Sequence, residues 1–147
     1  MTYLYTALAV LILDLVTKEL AQEFLAQKPY DLLPFVKLFL IHNKGAAFGM
    51  FAQSPDIIRV PLLLITPVLA LIVTYIYASK NKETKTQILM GMIAGGALGN
   101  LYDRLLLKEV RDFIHLHVGD FYWPAFNLAD ASITTAIMLL LVRYIRK

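Results

Sequence analysis

The chain has 147 residues, 59% of them hydrophobic and 17% charged, with a mean hydropathy of +0.62. Soluble domains average about 45–50% apolar and about 25% charged, so a water-soluble fold of this size could not hide so much apolar surface. The net charge of +3 (pI about 9.1) would hint at nucleic acid in a soluble protein but here has its explanation in membrane topology, and no nucleic-acid partner is expected; the absence of cysteine excludes disulfides, thiolate metal sites and a cysteine nucleophile.

At roughly 20 residues per membrane helix plus connections, the length allows about four spans. The first begins at the N-terminus: Met1 to Leu13 carries no charge and the apolar pattern continues past Asp14 toward Phe24. It lacks a basic leading region and a small-residue cleavage site, so it is expected to be a retained span rather than a signal peptide. Next, Phe35 to His42 is rich in β-formers and bounded by Pro34 and Asn43-Lys44-Gly45, which predicts a short strand on the membrane surface. Val60 to Ala78 is a second span, nineteen residues without a charge, containing two prolines that a membrane helix tolerates. Thr86 to Tyr102 is a third, running into Asp103-Arg104, and Asn127 to Tyr144 a fourth, with Asp130 near its start. Lys80, Lys82 and Lys85 between spans two and three, and Arg143, Arg146 and Lys147 in the tail, form dense basic clusters at span ends. They predict that both termini are cytoplasmic, although the outer connections hold more basic residues in total, spread out and mixed with acids.

Helix arithmetic then brings polar groups to one depth. Asp14 lies 13 residues from Met1, Asn100 lies 14 from Thr86, and Asp130 lies 13 from Arg143. At 1.5 Å per residue each sits about 20 Å from the inner surface, in the outer third of the hydrocarbon. Asp103, Arg104 and Asp112 follow just beyond the third span. Carboxylates at that depth are expensive unless they meet a partner or a wet cavity, and they mark functional sites by default.

Structural explanations stand beside the functional ones. Asp14 and Lys18 have the i,i+4 spacing of a helical ion pair. Gly91, Gly95 and Gly99 form a small-residue face for helix packing. Arg104 reads as a partner of Asp103, a helix-end cap or a lipid-phosphate contact. Asn43 to Gly49 reads as a turn with an interfacial segment, and Asp130 as an acid favoured by a helix N-terminus. His42, His115 and His117 raise the question of a metal, but the i,i+2 spacing of His115 and His117 brings two imidazoles together only on a strand, and no clear third ligand appears. Asp112 and Asp130 are harder to explain structurally. Two carboxylates converging in a low-dielectric pocket share a proton near neutral pH. One then takes a proton from water while the other protonates or hydrogen-bonds a substrate carbonyl, which is aspartic-protease chemistry. The competing functional class is a small proton-coupled transporter or channel with intramembrane carboxylates; the apolar inner halves of the spans offer it no continuous polar path.

Five blocks occur in order: Asp14-Leu15-Val16-Thr17-Lys18, Asn43-Lys44-Gly45-Ala46-Ala47-Phe48-Gly49, Gly95-Gly96-Ala97-Leu98-Gly99-Asn100-Leu101-Tyr102-Asp103-Arg104, Val110-Arg111-Asp112-Phe113 and Phe126-Asn127-Leu128-Ala129-Asp130. In these blocks, and over nearly its whole length, the chain resembles the bacterial lipoprotein signal peptidases, or type II signal peptidases. The resemblance implies a cytoplasmic (inner) membrane enzyme with four spans, a small extramembrane sheet that cradles substrate and an active site near the outer face. It implies cleavage of diacylglyceryl-modified prolipoproteins just before the lipidated cysteine, with Asp112 and Asp130 catalytic. Asp14, Lys18, Asn43, Gly45, Asn100, Asp103, Arg104 and Asn127 are implied as supporting or substrate-binding groups. Membrane phospholipid and globomycin-type inhibitors are the other implied partners, and no cofactor or metal is implied. The expected fold is an all-α membrane protein: a four-transmembrane-helix bundle with a small extramembrane β-sheet and a short outer loop region. It forms a single domain over 1–147, with spans at about 2–25, 57–78, 86–106 and 127–145.

Overall fold

The computed structural model describes residues 1–146; Lys147, the last of the basic tail, lies outside them. Four long helices occur where the apolar runs predict them: α1 (Thr2–Phe24), α2 (Asp56–Lys80), α3 (Thr84–Leu107) and α4 (Leu128–Ile145). Two of these, α2 and α4, are long and apolar enough by themselves to cross a membrane. The other two fall short for a physical reason. The buried positions of α1 are Tyr3, Ala7, Asp14, Lys18 and Ala21, a single stripe at helical spacing with two charges pointing inward. Its opposite face exposes Leu4, Leu8, Ile12, Val16 and Leu20. α3 is depleted of large apolar groups because it is the central helix, packed against each of the other three.

Glycine makes that centrality possible. A Cβ at Gly95 would lie 2.5 Å from the Ala7 carbonyl oxygen of α1, and one at Gly96 would lie 2.7 Å from the Ala129 carbonyl oxygen of α4. The small-residue face therefore packs within the chain, two adjacent glycines admitting helices on different sides. Toward the N-terminal end of the bundle the core is Tyr3, Ala7, Ala78, Met90 and Ala94. Toward the other end the largest fully buried side chains are Lys18, Asn127, Asp14, Asp103 and Asp112, so that half of the interior is polar.

The helices carry a four-stranded antiparallel sheet in the order β1 (Tyr30–Leu33), β2 (Val36–Asn43), β3 (Val110–Val118) and β4 (Phe121–Tyr122). The predicted strand at 35–42 is β2. β3 is an addition: a nine-residue strand in a stretch that charges at Arg111 and Asp112 disguise as a connection. Only Lys108 and Glu109 separate it from α3. Lys108 turns the chain in the left-handed conformation (φ 64°), and the backbone N–H of Arg111 then donates to Asp103 Oδ2 at 3.1 Å. The register sets Ile41 opposite Asp112 and Asn43 opposite Val110, which brings the end of β2 beside the start of β3.

Candidate active site

Asp130 enters the site through a helix cap. Asn127 is the N-cap of α4. Its Oδ1 accepts from the Asp130 N–H at 2.9 Å, and its own N–H donates back to Asp130 Oδ2 at 3.4 Å, a reciprocal capping box. The helix-terminus explanation of Asp130 thus holds, and the cap fixes its side chain. The Asn127 amide nitrogen is left to reach the strand, and it donates to Asp112 Oδ1 at 2.8 Å. One asparagine therefore holds a carboxylate from α4 and a carboxylate from β3. The second Asp112 oxygen accepts from Asn43 Nδ2 at 3.1 Å. Asn43 is held in turn by Ala46 O and the Gly45 N–H, each at 2.8 Å. Gly45 is required there, because a Cβ would strike the backbone of Met50 and Ala52.

The three residues expected at one depth do meet. Asn100 Nδ2 donates to Asp130 Oδ1 at 2.9 Å, and its Oδ1 accepts from Lys18 Nζ at 3.1 Å. Lys18 pairs with Asp14 at 2.6 Å, both side chains fully buried, so the helical ion pair belongs to this cluster rather than to the surface. Asp14 Oδ1 also accepts the Ala129 N–H at 2.8 Å, satisfying a free donor in the first turn of α4.

Asp103 pairs with Arg111 at 2.9 Å and approaches Lys18 at 3.5 Å. The Asp103–Arg104 pairing suggested by their adjacency is absent, since neighbours on a helix do not face each other. Arg104 donates instead to Gly45 O at 3.5 Å, and its Nε is buried without a hydrogen-bond partner among the described residues. Arg111 is a member of this buried cluster that the sequence does not single out. It is 3% exposed and also bonds Glu19 at 2.7 Å, tying β3 to α1 and α3; the signal was a charge inside an otherwise apolar run. Burial works against the Arg111 charge, but the Asp103 and Glu19 carboxylates outweigh it and raise its pKa above the usual value.

Asp112 stands apart electrostatically. Burial, and then the charge of Asp130, push its carboxyl up to about 7, against the pull of Asn43, Lys18 and Asn127. It is therefore a group able to hold or release a proton near neutral pH. It lines a cleft of about 430 Å³ bordered by Ile41, Asn43, Phe48, Pro124 and Ala125. Phe48, on its border, meets Trp123 edge to face, 6.1 Å between centroids, and holds a left-handed backbone (φ 59°). His115 and His117 are engaged elsewhere, stacked on Phe39 and Tyr122.

Comparison with known proteins agrees with this chemistry. Residues 6–146 match the family described as signal peptidase (SPase) II. The lipoprotein signal peptidase of Aquifex aeolicus is 54% identical over 97% of this chain and 84% of its own length. That of Sulfurihydrogenibium sp. is 43% identical over 95% and 88%, and that of Burkholderia thailandensis 36% over 99% and 88%. A bacterial membrane enzyme solved by the in meso method at 2.3 Å superposes with a TM-score of 0.84 at 28% identity, covering 99% of this chain and 88% of that one. These matches select the peptidase over the transport alternative. The chain belongs to the lipoprotein signal peptidase (signal peptidase II) family, and it is a hydrolase of the aspartic type.

Proposed function

We propose that Asp112 and Asp130 are the catalytic pair, and that the substrate is a diacylglyceryl-modified prolipoprotein cut just before its lipidated cysteine. The observation that carries this reading is the shared asparagine: Asn127 bonds Asp112 at 2.8 Å through its side chain and Asp130 at 3.4 Å through its backbone, in a buried position beside an open cleft. One carboxylate takes a proton from water as the water oxygen bonds to the scissile carbonyl carbon. The protonated partner gives its proton to the carbonyl oxygen. In the tetrahedral intermediate the proton gained by the base passes to the amide nitrogen, the C–N bond breaks, and the other carboxyl recovers its proton from a hydroxyl.

The chain acts as one unit over 1–147, with all four helices spanning the bacterial cytoplasmic membrane and both termini inside. The inward aim of Asp14 and Lys18, with apolar side chains on the opposite face of α1, supports a span there despite its charges. The polar cluster then lies toward the outer face, with the sheet at the surface. The substrate's acyl chains remain among phospholipid hydrocarbon while the peptide bond meets the carboxyl pair. Asn43, Gly45 and Arg104 are the groups placed to meet the substrate backbone or a lipid headgroup; Asp14, Lys18, Asn100, Asp103 and Asn127 support from behind.

The test is cleavage of a diacylglyceryl-modified and an unmodified precursor by the purified protein, with and without globomycin. Only the modified precursor is expected to be cut, and globomycin to stop it. Equal cleavage of both precursors would remove the lipid from the specificity.

A further inference from the structure

The buried cluster distinguishes the two carboxyls, and the difference starts at Lys18. We propose that Lys18, acting through Asn100, sets the polarity of the pair, so that Asp130 begins as the ionised base and Asp112 as the proton-carrying acid. This rests on the catalytic pair proposed above and adds a positioning residue to it.

The amide of Asn100 has only one workable orientation. Its Oδ1 accepts from Lys18 Nζ and from Asn127 Nδ2, both at 3.1 Å. Turned over, the amide would aim N–H groups at an ammonium and at another amide nitrogen, three donors with no acceptor. With Oδ1 so held, Nδ2 must face Asp130 Oδ1, at 2.9 Å. The Asn127 N–H meets the other oxygen at 3.4 Å. Both oxygens of Asp130 are thus offered N–H donors by groups locked in the bundle, hydrogen bonds that favour the carboxylate against the burial that opposes it.

Asp112 is served differently. Its oxygens also meet N–H donors, Asn127 Nδ2 at 2.8 Å and Asn43 Nδ2 at 3.1 Å, but Asn43 is the last residue of β2, borders the cleft and shares its amide nitrogen with Ala46 O. The Asp112 side chain borders the open cleft, where its proton is within reach of a carbonyl. The charged groups around it come from every neighbouring element. Asp130 comes from α4 and Lys18 with Asp14 from α1; Arg104 and Asp103 come from α3, and Arg111 precedes it on β3. Asp103 is matched by the Arg111 fork and Asp14 by Lys18. Lys18 is therefore the cation in hydrogen-bond contact with the relay to Asp130.

In this assignment the water proton goes to Asp130 while its oxygen bonds to the carbonyl carbon, and the Asp112 proton goes to the carbonyl oxygen. Asp130 later delivers its proton to the leaving nitrogen, and Asp112 recovers one from the hydroxyl.

The experiment is the pH profile of cleavage of the modified precursor by Lys18→Met, Asn100→Leu, Asp112→Asn and Asp130→Asn, with folding checked by thermal unfolding. Lys18→Met is expected to lower kcat by about 10- to 100-fold, part of the roughly 10²–10⁴ that positioned acid–base groups contribute, with KM within about two-fold. Its acid limb moves to higher pH, because the lost cation had favoured the ionised form of the base, Asp130, through Asn100. A merely structural lysine would lower active fraction without moving that limb. If Lys18→Met fails to fold, Asp14→Asn combined with Lys18→Met removes both charges together. Asn100→Leu keeps every charge and is expected to lower kcat similarly. A folded lysine variant with wild-type kcat and an unmoved limb, or a folded Asn100→Leu with wild-type kcat, overturns the relay. Cleavage surviving in Asp112→Asn or Asp130→Asn overturns the carboxyl pair itself, so the two failures are told apart.

Discussion

Around Tyr3, Ala7, Ala78, Met90 and Ala94 the helices meet through small side chains and an aliphatic fringe. At the other end the largest fully buried side chains, Lys18, Asn127, Asp14, Asp103 and Asp112, are all polar or charged. Both regions belong to the same bundle, and α3 runs through both. At the first end α3 contributes Met90 and Ala94; at the second it contributes Asn100 and Asp103. The comparison teaches where specificity is concentrated. Packing of alanine and glycine brings backbones close but tolerates small shifts, whereas a buried charge holds its position only while each partner is present. With Asp112 and Asp130 as the proposed pair, carried on different elements, the buried charges lie at the end that would have to fix them.

The largest effect should come from the carboxyl pair. Asp112→Asn and Asp130→Asn preserve shape and one of the two N–H bonds each carboxylate accepts, but remove acid or base. Each is expected to lower kcat for the modified precursor by about 10³-fold or more with little change in melting temperature. A residual rate within a factor of about ten of wild type would take that residue out of the chemistry.

The comparison itself is broken most directly at Asp103. Removing it with Asp103→Ala strips Arg111 of a two-point partner and takes from Lys18 one of its two carboxylates. Deleting one member of a buried charge cluster costs about 3–5 kcal/mol, readable as a fall in unfolding temperature in detergent. Glu19 does not substitute for it, since it is 69% exposed and reaches only one Arg111 nitrogen. Unfolding indistinguishable from wild type would show that the polar end is not held by its charges.

A gentler probe of the same end is pH. The Asp112 carboxyl is pushed up from 3.8 to about 7 by burial and by Asp130. With Asp112 as the acid, kcat/KM falls above pH 7, about ten-fold per pH unit once the group is ionised. Stability has the same sign. Between the two values the unfolded chain has released this proton and the folded chain keeps it, so raising the pH through that window removes stability contributed by Asp112. In Asp112→Asn the loss of stability across that window should be smaller; an unchanged slope would mean that other groups dominate it.

The difference between the two ends also explains what could be read from the sequence. The helices were legible because uncharged runs are long, and the meeting of Asp14, Asn100 and Asp130 was legible because rise per residue converts sequence offset into depth. Asp112 stands out in the sequence as a carboxylate with apolar flanks just past a long uncharged run. The hydrogen-bond pattern was not legible. The pairing of Asp103 with Arg111 rather than with adjacent Arg104 depends on the two-residue turn after α3, and the double role of Asn127 depends on where β3 passes α4. Nor was β3 itself apparent, because it is buried on both faces over Val110 to Phe113 and shows no in–out alternation there. Local periodicity reports the elements; the partners of a buried charge are decided by tertiary geometry.

The smallest predicted effect sharpens the comparison from the other end. Near the N-terminal core the Tyr3 hydroxyl meets Thr74 Oγ1 at 3.1 Å, and Thr74 also donates to the Ala70 carbonyl at 2.7 Å within its own helix. Thr74→Val keeps the volume and leaves the tyrosine hydroxyl without this partner. A neutral buried hydrogen bond contributes about 0.5–1.5 kcal/mol, several-fold less than the loss expected at Asp103. The bond to Ala70 softens the change further, because that carbonyl keeps its place in the helix ladder. Thr74→Val should therefore lower the unfolding temperature slightly and leave kcat, KM and the pH profile unchanged, since among the described residues its hydrogen-bond partners Tyr3, Ala70 and Leu71 do not bond Lys18. A shift of the pH profile in Thr74→Val would mean that the two ends are coupled through α3, and that small-residue packing transmits more than contact.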